Sequence, residues 1–369
     1  MTDMGGNMEL KKGSPEEAGL DAGRLSRAYE LVERWVAEDR VAGAAMAVAR
    51  HGVLVEPRGF GRSPGVLGSE PTAADSVFLV ASVTKPVTAT AAMLLVERGE
   101  LSLQDPVCQI VPGFGERGKD EVRVLHLLTH TSGLPDMLPD NVELRQRHAP
   151  LSEFVAGICR CGLLFRPGTQ IRYQSMGTAM LGEIVERLTG MPLREFVRRE
   201  LFLPLGMTGT ALGLSPDLAG RVSQVRVPAQ QWSTDWHWNS PYWQGFGAPW
   251  GGMFATVQDL AVFLQMILQS GRYGGRQVLG AATAGAMVTD QTSRMPGLSA
   301  ETRLSQAWGL GWRLGGWGDL GSPRSFWHNG ATGTQVGADP DTGLVCAVFT
   351  TQPDAPLHCV VNAVKGALV

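Results

Sequence analysis

Apolar residues recur at helical intervals through the middle of the chain and gather into short runs at its two ends. Residues 21–38 carry Leu25, Tyr29, Val32 and Val36 on one face, the pattern of an amphipathic helix. Two short apolar runs follow, 44–48 and 53–55, joined through His51-Gly52 in the manner of a hairpin. Residues 58–72 are rich in Gly and Pro and read as loop. An apolar run over 77–80 then feeds a helix on which Val87, Ala91, Leu94 and Leu95 share a face. Pro86 suits its first turn, and Gly99 its end. Further helices are predicted over 152–160, 176–188, 193–202 and 259–268. The character changes near the end. Runs at 308–312, 325–328, 334–336 and 344–350 are strand-like, Pro340-Asp341-Thr342-Gly343 makes a hairpin turn, and 360–369 suits a last helix. Sheet sequence at both ends with helices between them predicts an α/β domain built from the two termini, residues 1–81 and 300–369. A mainly helical domain, residues 82–299, is inserted into it.

Bulk properties narrow the function classes. The chain has 369 residues, 44% of them hydrophobic, enough for about two domains and an ample core. A net charge of -3 leaves no electrostatic footprint for nucleic acid or an anionic membrane. No window of about 18 apolar residues suggests a membrane span. The first twenty residues are polar and Gly-rich, with no apolar core of an export signal. Five scattered cysteines, Cys108, Cys159, Cys161, Cys346 and Cys359, read as reduced thiols. The expectation is a cytoplasmic protein with reduced thiols.

The candidate chemistry starts at Ser82-Val83-Thr84-Lys85. At i and i+3 the two side chains share a helix face. A serine hydroxyl is a weak nucleophile until a base takes its proton. A lysine can be that base only if its pKa falls from about 10.4 to about 7–8, a shift worth roughly 4 kcal/mol. Burial and the positive end of a helix dipole both act in that direction. Of the five lysines, Lys11, Lys12, Lys85, Lys119 and Lys365, only Lys85 has a serine three residues before it.

Other patterns carry less. Gly61-Arg62-Ser63-Pro64-Gly65 matches G-x-S-x-G but lacks the helix that a nucleophile elbow needs after it. The G-x-G-x-x-G of Gly113 to Gly118 has no βαβ setting and reads as a turn. His126 and His130 are four apart, but Leu127 stands where a zinc protease needs Glu, so they read as a structural pair. Cys159 and Cys161 lack metal or redox spacing and read as core. No metal or organic cofactor is expected. The stretch 231–252 is the oddest in composition, with Trp232, Trp236, Trp238, Trp243 and Trp250 beside Tyr242 and Phe246. It has no helical or strand period. It reads either as a loop folded on its own aromatics or as an apolar wall over a substrate cleft.

Taken together, Ser82-Val-Thr-Lys85, the run from His126 to Pro135 (HLLTHTSGLP), Tyr173-Gln-Ser175, Pro204-Leu-Gly-Met207, Gly251-Gly-Met-Phe-Ala-Thr256 and His328-Asn-Gly330 resemble the serine β-lactamase-like superfamily. The likeness is to the branch holding class C β-lactamases, D-stereospecific peptidases and related esterases, and it runs from about residue 15 to the end. The resemblance implies an antiparallel sheet flanked by helices, as in β-lactamases and penicillin-binding proteins. It also implies Ser82 as nucleophile, Lys85 as its partner and Tyr173 as a phenolic base whose phenolate the lysine cation favours. His328, Asn329 and Gly330 would form the opposite wall. The backbone N–H groups of Ser82 and Ala331 would form the oxyanion hole.

Two positions depart from the pattern. Ser175 stands where β-lactamases and peptidases of the group usually have Asn, and His328 where class C β-lactamases have Lys. Both changes, with the lack of an export signal, turn the expectation from β-lactams toward a small-molecule carboxylic ester. Ser175 and the five tryptophans would then contact its acyl or alcohol group. β-Lactam hydrolysis, D-amino-acid peptide cleavage and acyl transfer to an alcohol use the same residues and stay open. A catalytically silent scaffold is the reading from another class.

Overall fold

The computed structural model describes residues 9–63 and 70–369. Pro64 and Gly65 of the G-x-S-x-G match lie outside them. The centre is an eight-stranded sheet. Its strands run in the order Lys11–Gly13, Val53–Gly61, Gly43–Arg50, Leu344–Thr350, Thr334–Asp339, Phe326–Gly330, Arg313–Leu314, Ala307–Trp308. All neighbours are antiparallel except the first pair, Lys11–Gly13 on Val53–Gly61. The two ends of the chain meet where Gly43–Arg50 pairs with Leu344–Thr350, from Arg50 opposite Leu344 to Ala44 opposite Thr350.

Strand Gly43–Arg50 is covered on both faces, and its alternation sorts residues between two cores. Ala44, Met46 and Val48 face the helices Ala22–Ala37 and Leu357–Lys365, packing with Leu25, Tyr29, Val32, Val360 and Val364. Ala45, Ala47 and Ala49 join the other core. Val257–Leu268, from the middle of the chain, packs on that second face. In Ala22–Ala37 the buried stripe uses Ala28 and Trp35, with Val36 only half-buried. Asp21 caps this helix by accepting from the Arg24 N–H at 2.7 Å.

Val77–Leu79 does not join the large sheet. It lies in a four-stranded sheet with Ala211–Leu212, Met253–Ala255 and Val222–Ser223. Residues 58–61, read from the sequence as loop, extend the strand Val53–Gly61. Residues 193–202 divide into the helix Leu193–Val197 and a π-helical turn, Arg198–Phe202. Among the described residues no helix is long and apolar enough to cross a membrane, and all five cysteines are free.

The C-terminal helix is fastened to the sheet by a buried ion pair. Lys365 Nζ lies 3.1 Å from Asp339 Oδ2, and each side chain is 1% exposed. Ser322 Oγ donates to Asp339 Oδ1 at 2.7 Å, and the ammonium sits 4.4 Å from the centre of the Trp317 ring. Removing one charge strands the other in the core. Asp339→Ala is therefore expected to destabilise the protein by about 3–5 kcal/mol in denaturant unfolding. A double replacement, Asp339→Leu with Lys365→Met, should recover most of that loss. A double variant no more stable than Asp339→Ala would show that the pair's charges are not the cause.

Candidate active site

The backbone at Ser82 is bent before the helix begins. Strand Val77–Leu79 ends at Val80, and Ala81 takes φ +45°, a left-handed conformation that costs a non-glycine residue of order 1–3 kcal/mol. Ser82 follows in a single 3₁₀ turn, Ala81–Val83, and the α-helix Thr84–Glu97 starts after it. The bend is held by Thr84, whose hydroxyl donates to Ala81 O at 2.6 Å and accepts from Met253 N–H at 3.1 Å. From Thr84 to Leu95 every residue is buried, so the stripe of Val87, Ala91, Leu94 and Leu95 is part of a helix enclosed on all sides.

Lys85 sits in that enclosure, 2% exposed. Its Nζ donates to Ser82 Oγ at 2.9 Å and to the Trp250 carbonyl at 2.9 Å. It also lies 4.7 Å from the centre of the Tyr173 ring. It has no ion pair among the described residues. Burial lowers its pKa from 10.5 to about 7, against a smaller opposing pull from the Asp136 carboxylate. At neutral pH a large share of Lys85 is a free amine with its lone pair beside the serine.

Tyr173 stands on the other side of Ser82. Burial raises its phenol well above 10, and a hydrogen bond with the Ser82 side chain opposes that rise. Desolvation penalises phenolate and ammonium alike. The expectation that the lysine cation favours a Tyr173 phenolate therefore gives way to a neutral amine beside a protonated phenol. The segment from His126 to Pro135 is the scaffold for this tyrosine. The His130 ring lies tilted against Tyr173 at 4.7 Å between centres, its Nδ1 accepts from Gln174 N–H at 3.2 Å, and its carbonyl accepts from Arg172 N–H. Gln174 in turn donates to His126 O at 3.1 Å and accepts from Ser132 Oγ. His126 Nδ1 accepts from Arg123 N–H at 3.1 Å.

The opposite wall comes from strand Phe326–Gly330 and the turn beyond it. Two buried hydroxyls pin that turn to the segment leading into Ser82. Thr332 Oγ1 donates to Leu79 O at 2.6 Å, and Thr334 Oγ1 to Val80 O at 2.9 Å. Gly330 passes so close to the Val80 carbonyl that a Cβ there would collide with it. The result is that Ala331 and Ser82 line one cleft. That cleft, about 410 Å³, is also lined by Tyr173, Ser175, His328 and Asn329.

His328 is 3% exposed. Its Nδ1 lies 2.8 Å from Asn329 O, and since a carbonyl only accepts, Nδ1 carries the hydrogen. Burial first, then the Lys85 charge, hold its pKa down to about 3. The ring is neutral, and Nε2 has no hydrogen-bond partner.

The five tryptophans expected at the substrate do not line this cleft. Trp243 and Trp250 are buried in the main core, and Trp238 packs half-buried against it. Trp236 is half-buried and Trp232 is 41% exposed beside His237. The stretch folds largely on itself, with short helices Ala229–Trp232 and Pro241–Phe246 and tilted ring pairs such as Trp243 with Phe246. What it supplies to the site is the Trp250 carbonyl. The tryptophan in the cleft is Trp308, set against His130 at 4.2 Å and Tyr173 at 6.2 Å. Asp136, Met137, Arg313 and Asp354 complete the lining. Arg313 arrives by register, opposite Trp327, one residue before His328. Trp308→Ala should lower kcat/KM on an ester about 10- to 100-fold by loosening Tyr173. Trp232→Ala and Trp236→Ala should stay within about twofold of the parent. Steady-state kinetics on one ester checks both.

A family model described as Beta-lactamase matches residues 29–366. An Escherichia coli (strain K12) protein provisionally named a D-alanyl-D-alanine carboxypeptidase is 27% identical over 94% of this chain and 87% of its own. The crystal structure of a family VIII carboxylesterase superposes with a TM-score of 0.77 at 20% identity, covering 95% of this chain and 99% of that one. D-Amino acid amidase from Ochrobactrum anthropi SV3 gives a TM-score of 0.72 at 23% identity, covering 93% and 99%.

Proposed function

The chain belongs to the Beta-lactamase family, and on that footing we propose that it is a serine hydrolase of carboxylic esters, working through an acyl-enzyme on Ser82. One observation carries the reading: the 2.9 Å contact between Ser82 Oγ and a buried lysine whose pKa is lowered to about 7. The neutral Lys85 amine takes the Ser82 proton as Oγ bonds to the acyl carbon. The negative charge that develops on the carbonyl oxygen is held by the N–H groups of Ser82 and Ala331. As the carbon–oxygen bond breaks, the leaving alkoxide takes the Tyr173 proton, and the Lys85 ammonium returns a proton to Tyr173. Water then attacks the acyl group. Its proton travels through the same pair to Ser82 Oγ, which leaves, and carboxylic acid and alcohol are released.

The choice of esters over β-lactams is supported by His328. A neutral ring with a bare Nε2 offers no positive charge to the carboxylate that a β-lactam carries. The second reading, D-amino-acid peptide cleavage, is favoured by Arg313, a guanidinium in the cleft able to pair with a terminal carboxylate. A panel of nitrophenyl acetate, nitrophenyl butyrate, nitrocefin and a D-alanyl-D-alanine peptide separates the readings. The nitrophenyl esters are expected to give the highest kcat/KM. Preference for nitrocefin or the peptide would overturn the ester assignment.

A further inference from the structure

Two acceptor atoms of cleft-lining residues, Asp136 Oδ2 and His328 Nε2, have no hydrogen-bond donor among the described residues. Asp136 is exposed and lines the cleft. Its Oδ1 is fixed by Ser175, whose N–H donates at 2.9 Å and whose hydroxyl donates at 2.6 Å. Ser175 itself is buried at the start of helix Ser175–Thr189, so the carboxylate is anchored to a rigid element. No cation pairs with Asp136 among the described residues. The second acceptor is His328. It lines the same cleft, and its Nε2 is a buried lone pair with no partner. A buried acceptor left unsatisfied is costly, and a ligand with donors removes that cost.

The charges in the cleft point the same way. Asp136 and Asp354 are carboxylates, Arg313 is a guanidinium, and His328 is neutral. The Arg313 guanidinium lies 5.6 Å from the centre of the Trp308 ring and 5.1 Å from that of Trp327, and makes no ion pair with Asp136. The carboxylate that Ser175 holds is therefore free for a cation brought by the substrate.

We propose that Asp136, held by Ser175, selects substrates that carry an ammonium group beside the scissile carbonyl, so that aminoacyl esters are the substrate class. The proposal rests on the Ser82 ester-hydrolase reading and deepens it. It also gives Ser175 a specific task. The serine side chain adds a hydroxyl to the backbone N–H that already reaches this carboxylate, and the substrate then meets a fixed negative group. A bound ammonium would donate to Asp136 Oδ2, a charge-assisted contact stronger than one between neutral groups.

The test uses three methyl esters of nearly equal shape. Alanine methyl ester, as each enantiomer, carries an ammonium; methyl isobutyrate has a methyl group in its place; monomethyl methylmalonate has a carboxylate. Methanol release is measured at pH 7 with the parent, Asp136→Asn and Ser82→Ala. The parent is expected to prefer at least one alanine ester over isobutyrate by tenfold or more in kcat/KM, with methylmalonate the poorest. Asparagine keeps an acceptor for Ser175 and removes only the charge, so the ammonium-to-neutral ratio should fall at least tenfold in Asp136→Asn. Ser82-dependent turnover of isobutyrate at the same rate as both alanine esters overturns the proposal and leaves the esterase reading standing. So does an undiminished ratio in Asp136→Asn. Absence of Ser82-dependent methanol release from all three esters overturns the esterase reading, and the proposal with it.

Discussion

Replacing Ser82 with alanine is expected to lower kcat on an activated ester by about 10⁴- to 10⁶-fold, with the fold intact. The size follows from what the hydroxyl does in this site. Its oxygen is hydrogen-bonded to the Lys85 amine and belongs to a residue lining the cleft that Ala331 also lines. Without it, water would have to attack the ester directly, helped only by binding and the oxyanion N–H groups. The structural cost is small. Lys85 keeps its bond to the Trp250 carbonyl, and the bend at Ala81 is held by Thr84 and Met253, not by the serine. Circular dichroism and the unfolding midpoint of Ser82→Ala should match the parent. A variant retaining a tenth or more of the parent's rate would remove Ser82 from the chemistry.

The second large effect is at Lys85, and it has two opposite signs. Lys85→Met should lower kcat by about 10²- to 10⁴-fold, the range for loss of a positioned general base. It should also make the protein more stable at neutral and acid pH. The folded-state pKa is depressed from 10.5 to about 7, so the unfolded chain binds the proton more tightly than the folded one. Below pH 7 the lysine is charged in both states, and burying that charge opposes folding in full. Between pH 7 and 10.5 the folded protein holds a neutral amine while the unfolded chain is still charged. The parent's stability from this group therefore rises with pH. Above 10.5 the penalty is gone. Methionine has no such penalty. The advantage of Lys85→Met is expected to be largest at pH 6, about 5 kcal/mol at most at one pKa unit per 1.36 kcal/mol, and to shrink toward pH 10. Urea unfolding of both proteins across that range gives the difference directly, because their other titrating groups are shared. A constant difference from pH 6 to 10 would contradict the depressed pKa. The same depression sets the pH profile of the parent. kcat/KM should rise with one apparent pKa near 7, a property of the coupled Lys85–Tyr173 pair.

How far the site could be read from sequence depends on which interactions are local. Ser82 and Lys85 are legible because one helical turn joins them, and a rare lysine makes the pattern visible. Tyr173, His328 and Ala331 are legible only through resemblance, since nothing near them in the chain marks their chemistry. Asp136, Trp308 and Arg313 escape the sequence because strand register and chain crossing bring them in; Arg313 enters by lying opposite Trp327. The tryptophans at 232–250 mislead for a related reason. Aromatic composition says that surface will be buried, but not against what, and here much of it is buried in the stretch itself and in the main core. The charge states of Lys85 and Tyr173 follow from burial, which pairwise reasoning about a cation and a phenol leaves out. At the level of the fold, helical and strand periods locate most elements. They do not show that Val77–Leu79 pairs with Met253–Ala255 in place of the large sheet, because that choice is made by long-range packing.

A covalent acyl group on Ser82 can be detected by its mass. Mix the protein with excess nitrophenyl butyrate, quench in acid within the first turnovers, and weigh the intact chain and its peptides. One butyryl group per chain is expected, on the peptide holding Ser82, built up in step with a burst of nitrophenol. Steady nitrophenol release with no acylated chain at any time, or an acyl group found on another residue, would contradict it.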